Sequence, residues 1–313
     1  MLEQTNLKAV KRKVAGDKLV RALFLLLALF CASIIVFVVA FIVIKGVTPF
    51  VKVYPDSVGG KPLHVGEFLT GMRWMAPAYG VGFIIINTIL ITIIALLIAV
   101  PLSIFSALLI TRIAPKPVAK TLMYTVELLA SIPSIIFGVF GAAIITQIVK
   151  SFGNLFNYQT AGGLSMLAGG IVLALMIYPT ITMLSISSIN AVGDEIIHGS
   201  LALGASETET NFKVVLTSAK SGIFAGIILG VGRALGEATA VSMVVGNAGT
   251  GPTWNPLDPT RTLTTTMLQS LHEVSSTSID YEVRFSVGII LMVVIIATNL
   301  ALNSIKRRVG NIK

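Results

Sequence analysis

Apolar residues along this chain come in long unbroken blocks rather than in the short alternations of a soluble fold. About 20 consecutive apolar residues are enough to cross a bilayer as a helix. By that measure six spans are predicted, at 22–44, within 80–111, and at 120–149, 168–190, 221–245 and 285–304. Pro101 is expected to kink or end the second. Pro133, Gly138 and Gly141 are expected to bend the third and let a neighbouring helix approach closely, or to open backbone groups to a cavity. The pattern is that of an all-α, polytopic membrane protein with six transmembrane helices. Two long polar stretches, 46–79 and 246–284, join spans on one side, and a bent stretch at 193–222 joins them on the other. Within the second long loop Leu263, Met267, Leu268 and Leu271 recur at helical spacing. They predict a short helix that either packs on its own protein or lies at the membrane surface under a partner.

Composition sharpens this picture. Of 313 residues 55% are hydrophobic and 12% charged, against roughly 25% charged in a soluble domain. The net charge of +9 does not point to nucleic acid, because the Lys and Arg residues cluster at the ends of apolar runs, where the positive-inside rule accounts for them. With the N-terminus inside, the inside segments carry fifteen Lys and Arg and the outside segments seven. Both termini are therefore expected in the cytoplasm. The chain divides into a basic tail at 1–21, a permease domain at 22–307 and a second tail at 308–313. The first apolar run exceeds the ~7–15 residues of a signal peptide, so it reads as an uncleaved span. Cys31 is the single cysteine, and no Cys/His spacing suggests a metal site. No cofactor is expected. No phosphate-binding G-x-x-x-x-G-K-[ST] occurs, since Lys61 after Gly60 is followed by Pro62 in an outside loop. ATP chemistry is thus expected on a different polypeptide.

The inside stretch "GDEIIHGSLALGASETETNFKVVLTSAKSG" carries helix punctuation. Asp194 reads as an N-cap. Gly204 suits a left-handed residue that ends a helix. Ser206 and Glu209 match the capping box that starts another. A bent helical pair of this kind, at about 194–216, is suited to insert into a groove on a second protein.

Three ionisable residues fall inside predicted spans: Glu127 in the third, Arg233 and Glu237 in the fifth. Each costs on the order of 3 kcal/mol to insert. At i and i+4, Arg233 and Glu237 would share a helix face. Two readings stand. The residues form a buried Arg–Glu pair that fixes packing, or the planar guanidinium meets an oxyanion in a pathway, with Glu237 holding it when the pathway is empty. Glu127 either adds a partner or reaches toward the membrane surface.

Several segments resemble one family. ABC-transporter permeases carry a cytoplasmic E-A-A-x3-G-x9-I-x-L-P loop that docks into the ATPase. On that pattern Gly204 takes the glycine, while Val214 and Leu216 take the I and L positions. His198, Gly199 and Ser200 depart from E-A-A, and Thr217 from the proline. The segments "ELLASIPSIIFGVFG" and "GRALGEATAVSMVVGN", with "FLTGMRW", "NTILIT" and "AVPLSIFSALLI", are similar to those of the PstC-type phosphate permease. Ala238 and Thr239 are a local departure, and the "VVGN" ending favours this type over the related PstA type. The resemblance implies a type I ABC importer permease fold and a role in phosphate import, with the Arg233–Glu237 segment in the substrate pathway. It implies His198, Gly199, Ser200, Gly204, Val214 and Leu216 at the ATPase contact. It also implies four kinds of partner: a homologous PstA-type permease, a PstB-type ATPase dimer, a PstS-type extracytoplasmic binding protein, and membrane lipid. The alternatives are an ABC permease for another oxyanion such as sulfate or molybdate, an ion-coupled transporter using Glu127 and Glu237 as proton carriers, and a non-transporting scaffold.

Overall fold

The computed structural model describes residues 2–54, 61–269, 271 and 273–310; Met1 and residues 311–313 of the expected tails, and 55–60 of the first long loop, lie outside them. Six helices among the described residues are long and apolar enough to cross a membrane: Gly16–Phe50, Gly82–Ile113, Ser134–Leu155, Met166–Asn190, Glu207–Gly236 and Ile279–Arg308.

The chain begins with α1 (Leu2–Val47), followed by a 3₁₀ turn at Thr48–Phe50. A small cap then forms from α2 (Val65–Thr70) and a hairpin of β1 (Trp74–Met75) and β2 (Ala78–Tyr79). Helix α3 (Gly82–Leu108) continues through Pro101 and closes in a wider π turn at Leu109–Ile113. Pro101 therefore does not end the second span. Next come α4 (Lys116–Ser131) and α5 (Ser134–Phe140), the latter continuing through a π turn into α6 (Thr146–Leu155).

The third span thus differs from the expected bent rod. Ile132 and Pro133 are extended, with ψ of 125° and 141°. The pyrrolidine ring disfavours the helical region for the residue before it and removes a backbone donor. The helix breaks there instead of bending, and the spanning helix starts at Ser134.

Helix α7 (Met166–Asn190) is the axis of the molecule. Ile91 and Ala95 of α3, Phe137 of α5, and Val244 and Val245 close around its Val172, Leu173 and Ile177 to form the main core. The elbow follows as α8 (Asp194–Ala202) and α9 (Glu207–Glu209), then a π turn at Thr210–Val215 and α10 (Leu216–Gly236). Gly222, Gly226 and Gly230 let α10 run against Ser188, Leu184 and Ile181 of α7, so the two helices are antiparallel. After α10 come α11 (Thr239–Ser242), α12 (Leu263–Leu268) and α13 (Ile279–Gly310).

The two long loops fold onto each other. Trp74 N–H donates to Gly249 C=O at 2.8 Å and Gly251 N–H to Met72 C=O at 3.3 Å. Asn87 in α3 pins this cap, since its amide oxygen accepts from Thr253 N–H at 2.9 Å. The hydroxyl of Thr88 accepts from Leu263 N–H at 3.0 Å. Residues 263–266 of α12 are buried, which settles that helix as one packed on its own protein. By contrast, α1 is tied to α13 near one end, where Lys45 meets Glu282 at 3.4 Å and Ser286 donates to Gly46 C=O at 2.6 Å. None of the most apolar stretch of α1 is buried.

Gly138 and Gly141 do serve close approach. A Cβ on Gly138 would lie 2.9 Å from Ala240 Cα and 2.6 Å from Met243 S, and one on Gly141 2.5 Å from Val172 Cγ2. Gly138→Val should accordingly overpack the α5–α11 contact and cost ~1–3 kcal/mol. The measurement is the thermal midpoint of the purified protein in detergent. Gly138→Val should lower it by several degrees, whereas Gly66→Ala, whose added methyl meets nothing within 4 Å, should not.

Candidate functional site

The fifth span holds Arg233 and Glu237, and its shape is set by a break. Helix α10 stops at Gly236, and Glu237 is extended at φ −78°, ψ 123°. The expected continuous helix through residue 245 therefore does not form, and Arg233 and Glu237 do not share a helix face. A broken helix leaves the first N–H groups of its second half without partners. Glu237 answers this itself, because its carboxylate accepts the Ala240 N–H at 3.0 Å. Its carbonyl accepts the Thr264 hydroxyl at 2.8 Å, so the break is held by one side chain and by α12. The partner helix α5, which also starts at a break, packs alongside through Gly138.

Arg233 points the other way. Its Nη1 donates to the Thr180 hydroxyl at 3.0 Å, near the middle of α7. The two salt bridges among the described residues are Lys45–Glu282 and Lys213–Glu209. The buried Arg233–Glu237 pair is thus absent among the described residues, and Arg233 has no carboxylate partner there. A guanidinium keeps its proton, so a fixed positive charge stands within the apolar layer, answered by one hydroxyl.

This group lines a cavity of about 770 Å³ between α7, α10 and α13. Its polar lining is Thr180, Arg233, Asn299 and Asn303, and its wall includes Gly232 and Leu229. Leu229 is exposed, so the cavity opens on the side of the bundle. Asn299 and Asn303 were not singled out in the sequence. Two asparagines four residues apart in an otherwise apolar span were the available signal. Glu127 lies on an exposed face of α4, one residue from buried Val126, and does not line this cavity.

A second cationic group is walled into the long-loop cap. Arg261 is 7% exposed and donates to Ala248 C=O at 2.8 Å and Asn247 C=O at 2.7 Å. Burial, helped by nearby Arg284, lowers its pKa to about 10. Its hydrogen bonds all go to backbone, which marks it as a clamp on the loop that follows α11.

At the elbow the punctuation is as expected with one shift. Gly193, not Asp194, is the N-cap of α8, and Asp194 opens the helix. Gly204 has φ +87°, and Ser206 and Glu209 form both halves of the capping box. The six expected contact residues divide. His198, Gly199 and Gly204 are exposed. Ser200 is half-buried and hydrogen-bonded to Thr210 at 2.9 Å. Val214 and Leu216 are half-buried, and Leu216 packs on the core formed by Ala107, Ile186 and Ile189. The most exposed large apolar residue of the elbow is instead Leu203, 91% exposed beside Gly204.

Comparison with known proteins agrees with this architecture. The family described as "Binding-protein-dependent transport system inner membrane component" matches residues 99–311. The chain is 36% identical over 231 residues to "Probable ABC transporter permease protein YqgH" of Bacillus subtilis, covering 72% of this chain and 73% of that protein. It is 34% identical over 248 residues to "Phosphate transport system permease protein PstC 1" of Mycobacterium tuberculosis, covering 74% and 73%. Among solved structures, a bacterial ABC transporter involved in import of the acidic polysaccharide alginate superposes with a TM-score of 0.62 at 15% identity, covering 91% of this chain and 96% of that one. At that identity the likeness concerns the fold alone, which is that of a type I ABC importer permease.

The carboxylate of Glu237 yields a local test. Glu237→Gln keeps an acceptor for the Ala240 N–H, whereas Glu237→Leu strands that donor at a cost of ~1–3 kcal/mol. In detergent, the Gln variant should hold the parental thermal midpoint and the Leu variant should fall several degrees below it. Equal midpoints would mean that the carboxylate does not support the break.

Proposed function

We propose that this chain, which belongs to the family of binding-protein-dependent transport system inner membrane components, is a permease subunit of an ATP-driven importer of inorganic phosphate. The observation that carries the reading is Arg233, a fixed cation without a carboxylate partner among the described residues, lining a groove open on the side of the spanning bundle. A permanent positive charge there is a cost to any protein that does not use it. For an oxyanion in transit it is a partner, and its planar fork matches two phosphate oxygens at once. The names of the curated relatives favour phosphate among the oxyanions over sulfate or molybdate.

The cavity opens sideways, which supports a pathway completed by a second, homologous permease of the PstA type. The elbow supports a cytoplasmic ATPase contact. Helix α8, the bend at Gly204 and exposed Leu203 project from one end of the bundle, as a docking element for a PstB-type ATPase dimer would. The excess of Lys and Arg on that side supports a cytoplasmic position for it and for both termini. The cap of long loops then faces outward, where a PstS-type binding protein would deliver phosphate. ATP hydrolysis belongs to the partner, and this subunit is a transport component rather than an enzyme. A proton-carrying role for Glu237 fits poorly with a carboxylate that already accepts a backbone N–H, and Glu127 is exposed on α4.

The test is phosphate uptake by the assembled importer in proteoliposomes with the binding protein and ATP inside the appropriate compartments. Arg233→Gln and Arg233→Lys should each assemble and yet lose uptake by ~10-fold or more, the scale of one charged hydrogen bond. Because Arg233 and Glu237 are not paired, adding Glu237→Gln to Arg233→Gln should not restore transport. Gly204→Val should insert normally, since a Cβ there meets nothing within 4 Å. It should uncouple phosphate from ATP hydrolysis through backbone strain at positive φ. Uptake restored in the double variant would overturn the pathway role.

A further inference from the structure

Between Arg233 and the elbow end of the bundle, one side of α13 carries two amides in an otherwise apolar run. Asn299 and Asn303 are one helical turn apart, so both face the same way, and both line the cavity that holds Arg233 and Thr180. Asn299 is half-buried and Asn303 exposed. Neither amide has a hydrogen-bond partner among the described residues. Helix α13 starts at the long-loop cap, where Ile279 and Val283 pack with Leu263, and runs toward the elbow end. Asn303 is therefore the deeper of the two toward that end. Thr180, Arg233, Asn299 and Asn303 are the polar residues of one groove, which they line together with apolar residues of α10 such as Ile228 and Leu229.

An unpaired amide facing hydrocarbon costs free energy unless water or a ligand satisfies it. The groove is open on the side of the bundle, and once a second subunit covers that side it has room for water or an anion. We propose that Asn299 and Asn303 are specificity-determining residues of the anion pathway, a neutral ladder that takes a protonated oxyanion from Arg233 to the cytoplasm. This rests on the reading of Arg233 as the pathway cation. The chemistry of the amide is the reason for the choice. Near neutral pH, inorganic phosphate keeps at least one proton and so presents an O–H donor beside its acceptor oxygens. An asparagine offers N–H donors and a carbonyl acceptor together. Sulfate has no proton to give and would leave the amide carbonyl unmatched, and a site built for a hydrogen bond rejects a ligand that cannot make it. Neutral steps also let the anion leave. A second fixed cation below Arg233 would hold it, and conduction requires sites weak enough to release.

The test uses the assembled importer in inside-out vesicles, in a Cys31→Ser background, with Asn299→Cys or Asn303→Cys. Anionic and cationic methanethiosulfonate reagents are applied from the cytoplasmic face. Both positions should react, with the anionic reagent favoured. Adding Arg233→Gln should cut that preference by ~10-fold, the effect of removing one nearby charge. Phosphate should slow the anionic reaction more than sulfate does. In proteoliposomes Asn299→Leu/Asn303→Leu should assemble and lose ~10-fold or more in phosphate uptake. Absence of labelling at both positions would mean lipid or the second permease covers them, and would overturn the ladder. So would parental uptake in the double Leu variant. Either result, with Arg233→Gln still inactive, leaves the pathway role of Arg233 standing. Anion-preferring, Arg233-dependent labelling protected by sulfate as well as by phosphate would overturn the selectivity while keeping an anion path. Should the Leu pair fail to assemble, the labelling pattern decides.

Discussion

A guanidinium in the apolar layer that cannot release its proton must be answered by something, and much of this structure can be understood from what answers Arg233. One hydroxyl does so from within the chain, that of Thr180. The carboxylate four residues on is turned away by the break after Gly236 and spent on a backbone N–H. The charge is left facing a cavity, and the cavity faces the side of the bundle. Among the described residues it has no further hydrogen-bond or ion-pair partner, which leaves it available to an anion, water or a second subunit.

The packing serves to hold that arrangement. Glycines at 222, 226 and 230 bring α10 against α7 so that Arg233 reaches Thr180. Gly138 brings α5 against α11 on the far side of the break, and Gly141 brings the turn after α5 against Val172 of α7 and Val244. Asn87 and Thr88 on α3 fasten the loops beyond it, and buried Arg261 ties the same loops through their carbonyls. At the other end the elbow joins α7 to α10 through the short helices around Gly204. The elbow is thus continuous with the helix that bears the cation.

Much of this was legible in the sequence, and the misses have causes. The six apolar blocks, the turn at Gly204 and the capping box at Ser206 depend on local composition and backbone preference, which sequence displays directly. The breaks at Pro133 and Glu237 were harder. Proline inside a span is compatible with a helix that continues, as α3 does at Pro101, and which outcome occurs depends on the neighbours. At Glu237 no proline warns of the break; it shows only once the carboxylate is seen capping α11. Helical periodicity therefore placed Arg233 and Glu237 on one face when the chain separates them. Asn299 and Asn303 escaped notice because amides are weak signals singly, and their meaning comes from a cavity that three helices make together.

Solid-state NMR can test the central claim directly, by measuring dipolar coupling between guanidinium nitrogens of 15N-arginine-labelled importer and the phosphorus of bound phosphate in lipid bilayers. The account predicts a coupling at hydrogen-bond range in the parental complex that disappears in Arg233→Lys. A coupling that persists unchanged in Arg233→Lys would contradict it.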